Sequence, residues 1–183
     1  MQVLETNIDG VLVLEPKVFG DSRGYFLESF NQLVFKKETG LEVNFVQDNE
    51  SMSAKNVLRG LHFQSPPHDQ GKLIRVVQGS VRDIVVDIRK DSATYGKHFS
   101  IELDGTAKKM LWVPPGMAHG FASLEDNTIF AYKCTNYYEP SAEGCIMWND
   151  ADLNIDWGIE DPIISEKDQN GELFKDFKSP FEF

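Results

Sequence analysis

Apolar and polar residues along this chain fall into short strand-like runs punctuated by proline and glycine. Residues 10–14 (Gly-Val-Leu-Val-Leu) form one such run, just before Pro16. Residues 73–77 and 81–88 are two β-branched-rich runs, and Gln78-Gly79-Ser80 between them predicts a hairpin. Residues 99–103 alternate apolar and polar and end at the turn signal Asp104-Gly105. Residues 110–113 are apolar and stop at Pro114-Pro115-Gly116, and residues 128–135 are rich in aromatic and β-branched side chains. If residues 58–64 are a strand, alternation places His62 and Gln64 on one face and Leu61 and Phe63 on the other. Strands this short, at regular spacing, predict an all-β sandwich or barrel.

Helical signals are few. Residues 31–39 predict one short helix with Gly40 as its stop, and a second is expected near residues 165–169. There is no internal repeat and no Gly- or Ser-rich linker. The segment after Asp150 is acidic and interrupted by Pro162, so it is expected to wrap onto the domain that precedes it. With 183 residues the chain is expected to be one domain, 1–183, with an arm over about residues 1–30 and a wrap over about 150–183.

Charge narrows the choice of partner. Lys plus Arg is 18 and Asp plus Glu is 29, a net charge of −11. A chain this acidic repels phosphate backbones at long range, so no nucleic-acid partner is expected. No apolar run approaches the roughly 20 residues that span a bilayer, so no membrane partner is expected either. The first ten residues carry Glu5 and Asp9 and no basic residue, unlike a secretory signal. The two cysteines, Cys134 and Cys145, fit neither a disulfide framework nor a zinc knuckle and read as reduced thiols in or near a sheet. A cytoplasmic enzyme is the expectation.

Two segments could carry chemistry. Arg59-Gly60-Leu61-His62-Phe63-Gln64 puts a histidine on one strand face, where it could be a hydrogen-bonded core residue, a metal ligand or an acid–base group. Pro114-Pro115-Gly116-Met117-Ala118-His119-Gly120 places a second histidine directly after a fixed turn. Together they resemble the two half-motifs of the cupin superfamily, small antiparallel jelly-roll barrels. Metal-binding cupins offer His-x-His in the first half, whereas this chain reads His62-x-Gln64, so no metal is expected.

The resemblance then narrows. Phe19-x-Asp21-x-Arg23-Gly24, Gln47-Asp48-Asn49-Glu50-Ser51, Arg59-Gly60-Leu61-His62, Ser92-x-Thr94-Tyr95-Gly96, residues 113–120 and Ser165-Glu166-Lys167-Asp168 occur in order. From Gly10 to about Asp168 the chain resembles the dTDP-4-dehydrorhamnose 3,5-epimerase family. The resemblance implies a cupin-type jelly-roll barrel of antiparallel strands with a few short peripheral helices, and a homodimer. It implies a dTDP-sugar substrate, dTDP-4-dehydro-6-deoxy-D-glucose, whose C3 and C5 protons are acidified by the C4 ketone. Inversion at each carbon then needs a base, an acid on the opposite face and a cation or hydrogen bond at O4. No cofactor is implied.

The roles follow by matching positions to the family. His62 is the base, held by Asp168, although Asp83 is a rival partner for its ring. Tyr132 is the acid and Lys72 the cation near the ketone. Arg23, Arg59 and Lys167 match phosphate-binding cations, which local screening over roughly 8–10 Å shields from the global negative charge. His119 matches a substrate contact, and Gln47, Asp48 and Asn49 lie in a segment matched to substrate binding. Glu28 and Glu143 match nucleoside contacts, and Phe19, Phe26 and Tyr138 are the rings available to stack on thymine. Arg23, Phe26 and Glu28 lie on the N-terminal arm, which in the family crosses to a neighbouring subunit. Other readings are an epimerase that acts at one centre only, a relative that moves the ketone from C4 to C3, which is not expected to carry the 59–62 block with Tyr132, a catalytically silent sugar-nucleotide-binding module and a metal-dependent cupin dioxygenase.

Overall fold

The structure is a computed structural model that describes residues 1–182. Its strands are β1 (Gln2–Glu5), β2 (Leu12–Glu15), β3 (Val18–Asp21), β4 (Gly24–Leu27), β5 (Gln47–Ser53), β6 (Val57–Gln64) and β7 (Lys72–Gln78). There follow β8 (Ser80–Asp87), β9 (His98–Asp104), β10 (Met110–Val113), β11 (Met117–Ser123), β12 (Thr128–Cys134), β13 (Glu143–Cys145) and β14 (Ile163–Ile164). One sheet has the order β1-β2-β10-β7-β12-β5 and the other β13-β6-β11-β8-β9, with β14 beside β6. Every pairing is antiparallel except β14 with β6, and β3 pairs only with β4. The two sheets form the all-β sandwich that the strand pattern predicts, and the jelly-roll that the family resemblance implies.

The helix α1 (Gln32–Thr39) forms where the sequence predicts it. Asn31 caps it by accepting from the Leu33 and Val34 N–H groups, and Gly40 ends it in the left-handed region at φ 74°. The second predicted helix is instead a single 3-10 turn, Asp168–Asn170. The expected hairpin at Gln78-Gly79-Ser80 is also corrected. β7 pairs with β10 and β12, whereas β8 pairs with β9 and β11, so Gly79 carries the chain from one sheet to the other. Gly79 has φ +75°, and a Cβ there would lie 2.4 Å from Thr128 Oγ1.

Three apolar clusters hold the layers together. Between the sheets, Val13, Ile74, Val76, Val81, Val85, Leu111, Phe121 and Phe130 interdigitate. The outer face of the first sheet is covered by α1, with Phe35 packed edge-on to Trp112. The tail covers the outer face of the second, where Trp157, Phe177 and Phe181 bury Leu61, Phe63 and Ile84. At one end, polar side chains that point between the sheets line an opening into the core. No helix among the described residues is long and apolar enough to cross a membrane.

Candidate active site

The second sheet places two histidines side by side. His119 on β11 is the register partner of His62 on β6. The strands can approach this closely because Gly60 faces Gly120: a Cβ on Gly60 would lie 2.5 Å from the Gly120 Cα. Each imidazole has its own carboxylate. His62 Nε2 meets Asp168 Oδ1 at 2.6 Å, and His119 Nε2 meets both oxygens of Asp83, at 2.9 and 3.0 Å. The choice between Asp168 and Asp83 as the partner of His62 is thereby resolved in favour of Asp168.

Asp168 reaches this position through the tail. Ile163 and Ile164 run beside Val57 and Leu58 at the start of β6, and the chain then turns at Ser165, whose Oγ accepts from the Asp168 N–H at 3.2 Å. The Gly60 N–H donates to the second Asp168 oxygen at 3.3 Å. Burial pushes the Asp168 carboxyl pKa up, but the His62 ring, the Gly60 N–H and Ser165 together outweigh it and hold the pKa below the usual carboxylate value.

A cavity of about 410 Å³ opens onto this pair. His62, Asp168, Lys72, Tyr132, Arg59 and His119 share its wall with Asn49 and Lys167, so eight residues singled out from the sequence meet at one place. Tyr132 on β12 has its ring against Phe130, centroids 6.0 Å apart, and its hydroxyl has no hydrogen-bond partner among the described residues. Burial raises its pKa to about 12, the neighbouring Cys134 adds to the rise and the charge of Arg59 opposes it. Lys72 opens β7, and its ammonium has no carboxylate partner among the described residues. Burial lowers its pKa, while Cys134, Glu143 and Asp83 pull it back up. A cation that is desolvated and unpaired in this way is available to a developing oxyanion.

At the rim, Glu143 accepts from the Tyr138 hydroxyl at 2.7 Å and pairs with Lys167 at 2.5 Å. Burial raises the Glu143 pKa, and these two contacts more than reverse the effect. Gln47 braces the same rim, its Oε1 accepting from the Tyr138 N–H at 2.9 Å and its Nε2 donating to Asn49 at 3.0 Å. Gln64, which occupies the position of the second cupin histidine, is committed elsewhere. Its amide donates to the carbonyls of His68 and Tyr137 and accepts from the Glu139 N–H.

Other sequence candidates stay outside the cavity of the single chain. Asp48 points to the opposite side of β5 and pairs with Lys133 at 2.9 Å. It borders a second groove that carries Arg75 and Lys133 but no imidazole, and that shares Asn49, Glu50 and Tyr132 with the cavity. Arg23 pairs with Asp21 at 2.5 Å on the exposed hairpin, Phe26 is 68 % exposed beside it, and Glu28 accepts from the Asn31 amide. Sequence reasoning missed Glu50, Ser51, Phe121 and Phe130 in the cavity wall, and it missed the proximity of Cys145 to His62. Alternation along β5 and β12 is the signal for Ser51 and Phe130, which lie two residues from Asn49 and Tyr132. Burial, with the charges of Asp168 and Glu143, pushes the Cys145 thiol up to about 12.

The chain matches known proteins over nearly its whole length. A family model described as dTDP-4-dehydrorhamnose 3,5-epimerase matches residues 5–176. The chain is 52% identical over 176 residues to the dTDP-4-dehydrorhamnose 3,5-epimerase of Shigella flexneri, covering 96% of this chain and 97% of that one. It is similar to the crystal structure of the dTDP-6-deoxy-D-glucose-3,5-epimerase of Legionella pneumophila Philadelphia 1 in complex with dTDP-4-keto-L-rhamnose. That match has a TM-score of 0.92 and 44% identity, and covers 95% of this chain and 93% of that one. A 3'-monoepimerase from Streptomyces bikiniensis, in complex with dTDP-quinovose, is more distant in sequence. It has a TM-score of 0.88 and 30% identity, over 94% of this chain and 87% of that one.

Proposed function

The chain belongs to the dTDP-4-dehydrorhamnose 3,5-epimerase family, and we propose from this premise how its own residues carry the reaction. The enzyme epimerises C3 and C5 of dTDP-4-dehydro-6-deoxy-D-glucose to give dTDP-4-dehydro-L-rhamnose. With the Nε2–H of His62 committed to Asp168, the lone pair on Nδ1 is left to accept a proton from carbon. The Asp168 carboxylate fixes that tautomer and stabilises the imidazolium that forms. The electron pair of the broken C–H bond moves into the enolate, and Lys72 balances the charge that collects on O4.

Tyr132 then donates its hydroxyl proton to the same carbon from the opposite face. Its raised pKa keeps the proton on oxygen until the carbanion takes it. The resulting phenolate is stabilised by the Arg59 charge and regains a proton from water, while the imidazolium releases its own to water. A second round inverts the other carbon. The observation that carries this reading is the His62–Asp168 pair facing one cavity with the unbonded Tyr132 hydroxyl and the unpaired Lys72. Proton NMR of the 4-keto sugar nucleotide with enzyme in heavy water tests it. Deuterium entering at C3 and C5 as the L-sugar forms is expected, and a substrate that keeps both protons reduces the chain to a binding module.

Arg59 and Lys167 are assigned to the diphosphate and the Tyr138–Glu143 rim to the nucleoside. Arg23, Phe26 and Glu28 complete the nucleotide site from a second copy in a homodimer. Two features support this. The β3–β4 hairpin pairs with neither sheet and exposes Phe19, Tyr25 and Phe26, and β5 is an edge strand with a free side. Deleting residues before Asn31 is expected to weaken both dimerisation and nucleotide binding. A monomer with full activity in sedimentation runs would remove the dimer from the account. The reaction is assigned to the cytoplasm, in keeping with its nucleotide-activated substrate.

A further inference from the structure

Cys145 has no part in the chemistry above, yet it lies against the base. β13 pairs with β6 so that Cys145 is the register partner of His62 on the side away from His119, and the tail brings Asp168 to the same point. A ring nitrogen of His62, the Cys145 Sγ and an Asp168 oxygen all lie within 4.8 Å of one another. Imidazole, thiolate and carboxylate are the donors that Zn²⁺ takes, at bond lengths of about 2.0–2.3 Å, with water filling the fourth position of a three-ligand site. To share one ion, the His62–Asp168 contact of 2.6 Å has to widen and the Cys145 Sγ has to turn from the Ile146 carbonyl, to which it donates at 3.6 Å.

We propose that His62, Cys145 and Asp168 form an inhibitory site for a thiophilic divalent cation such as Zn²⁺. The ion takes the place of the proton shared by His62 and Asp168. The thiol proton leaves to water, and the ring proton moves from Nε2 to Nδ1 as Nε2 coordinates the metal. Nδ1 is then protonated and cannot accept a proton from carbon, so epimerisation stops while the fold is unchanged. The cations Arg59, Lys72 and Lys167 line the same cavity and oppose a bare cation. Thiolate ligation supplies the affinity that overcomes them, so a hard ion such as Mg²⁺ does not bind.

The inhibitory consequence rests on the reading of His62 as the base, but the binding does not. Zn²⁺ is titrated into the full chain against a chromophoric chelator, and Co²⁺ is used as a spectroscopic probe, both without substrate. One Zn²⁺ per chain and a thiolate-to-cobalt band in the near ultraviolet are expected. Loss of an outer partner of a metal ligand alone costs about 10–100-fold in affinity. Cys145→Ser, which removes a direct ligand, is therefore expected to bind Zn²⁺ at least about tenfold more weakly and to lack the band. In the heavy-water assay, Zn²⁺ should stop wild-type turnover and EDTA should restore it. Mg²⁺ should have no effect, and Cys145→Ser should turn over normally and resist Zn²⁺. No stoichiometric binding, or no thiolate band in the wild-type protein, overturns the site, whatever the folding of the variant. Tight binding with full activity overturns the inhibition, and absence of turnover in metal-free wild type counts against the epimerase reading alone.

Discussion

Replacing Tyr132 by Phe removes one oxygen and should separate proton removal from inversion. The side chain sits against Phe130 with ring centroids 6.0 Å apart, and this packing survives in the variant. The lost hydroxyl has no partner among the described residues, so its removal leaves no buried group unsatisfied. A typical hydrogen bond contributes about 0.5–1.5 kcal/mol, so without one the fold should lose less than about 1 kcal/mol. His62, Asp168 and Lys72 are untouched, and deprotonation of C3 or C5 should continue. Donation on the new face should slow about 10²–10⁴-fold, the usual contribution of a general acid. In barrier terms that is about 2.7–5.5 kcal/mol. The enolate then recaptures a deuteron from His62 on the original face, and the substrate becomes labelled without being inverted. Proton NMR in heavy water reads both processes in one tube. Equal loss of exchange and inversion would point to a packing or binding defect, and unchanged inversion would remove Tyr132 from the mechanism.

His62→Ala should abolish deuterium entry at both carbons, because one base serves both, and NMR showing wild-type exchange at either carbon would mean that another residue is the base. Asp168 has a folded pKa below its ordinary value of about 3.9, so it adds stability that is full above that value and is lost as pH falls through the folded pKa. Urea melts should therefore show the gap between wild type and Asp168→Asn shrinking below about pH 4, and a gap independent of pH would contradict the ionised pair. Activity should survive dialysis against EDTA, because Gln64 stands where a second imidazole would be and its amide is spent on the 68–139 loop contacts. Loss of turnover on chelation, restored by zinc or iron, would show that a metal takes part.

Local rules were enough for the parts of this fold that depend on near neighbours in the chain. Asn31 and Gly40 bound α1 because capping is settled within a few residues. Alternation along β6 placed Leu61 and Phe63 on the outer face, since side chains alternate whatever the partner strand is. The family motifs likewise marked His62, Lys72, Tyr132 and Asp168, which line one cavity. Strand partnership was beyond such rules. Residues 73–77 and 81–88 resemble two arms of a hairpin in every local respect, and only the sandwich, with Gly79 fitted against Thr128, sends them to different sheets. The carboxylate of His62 was assigned to Asp168 by the family match alone, because residue type and local pattern allow Asp83 equally well. Long-range register decides it: β8 delivers Asp83 to His119, and the tail delivers Asp168, 106 residues after His62 in the chain, to the His62 ring. Cys145 carried no signal in the sequence, because a thiol acquires meaning from its neighbours, and those are set by the pairing of β13 with β6.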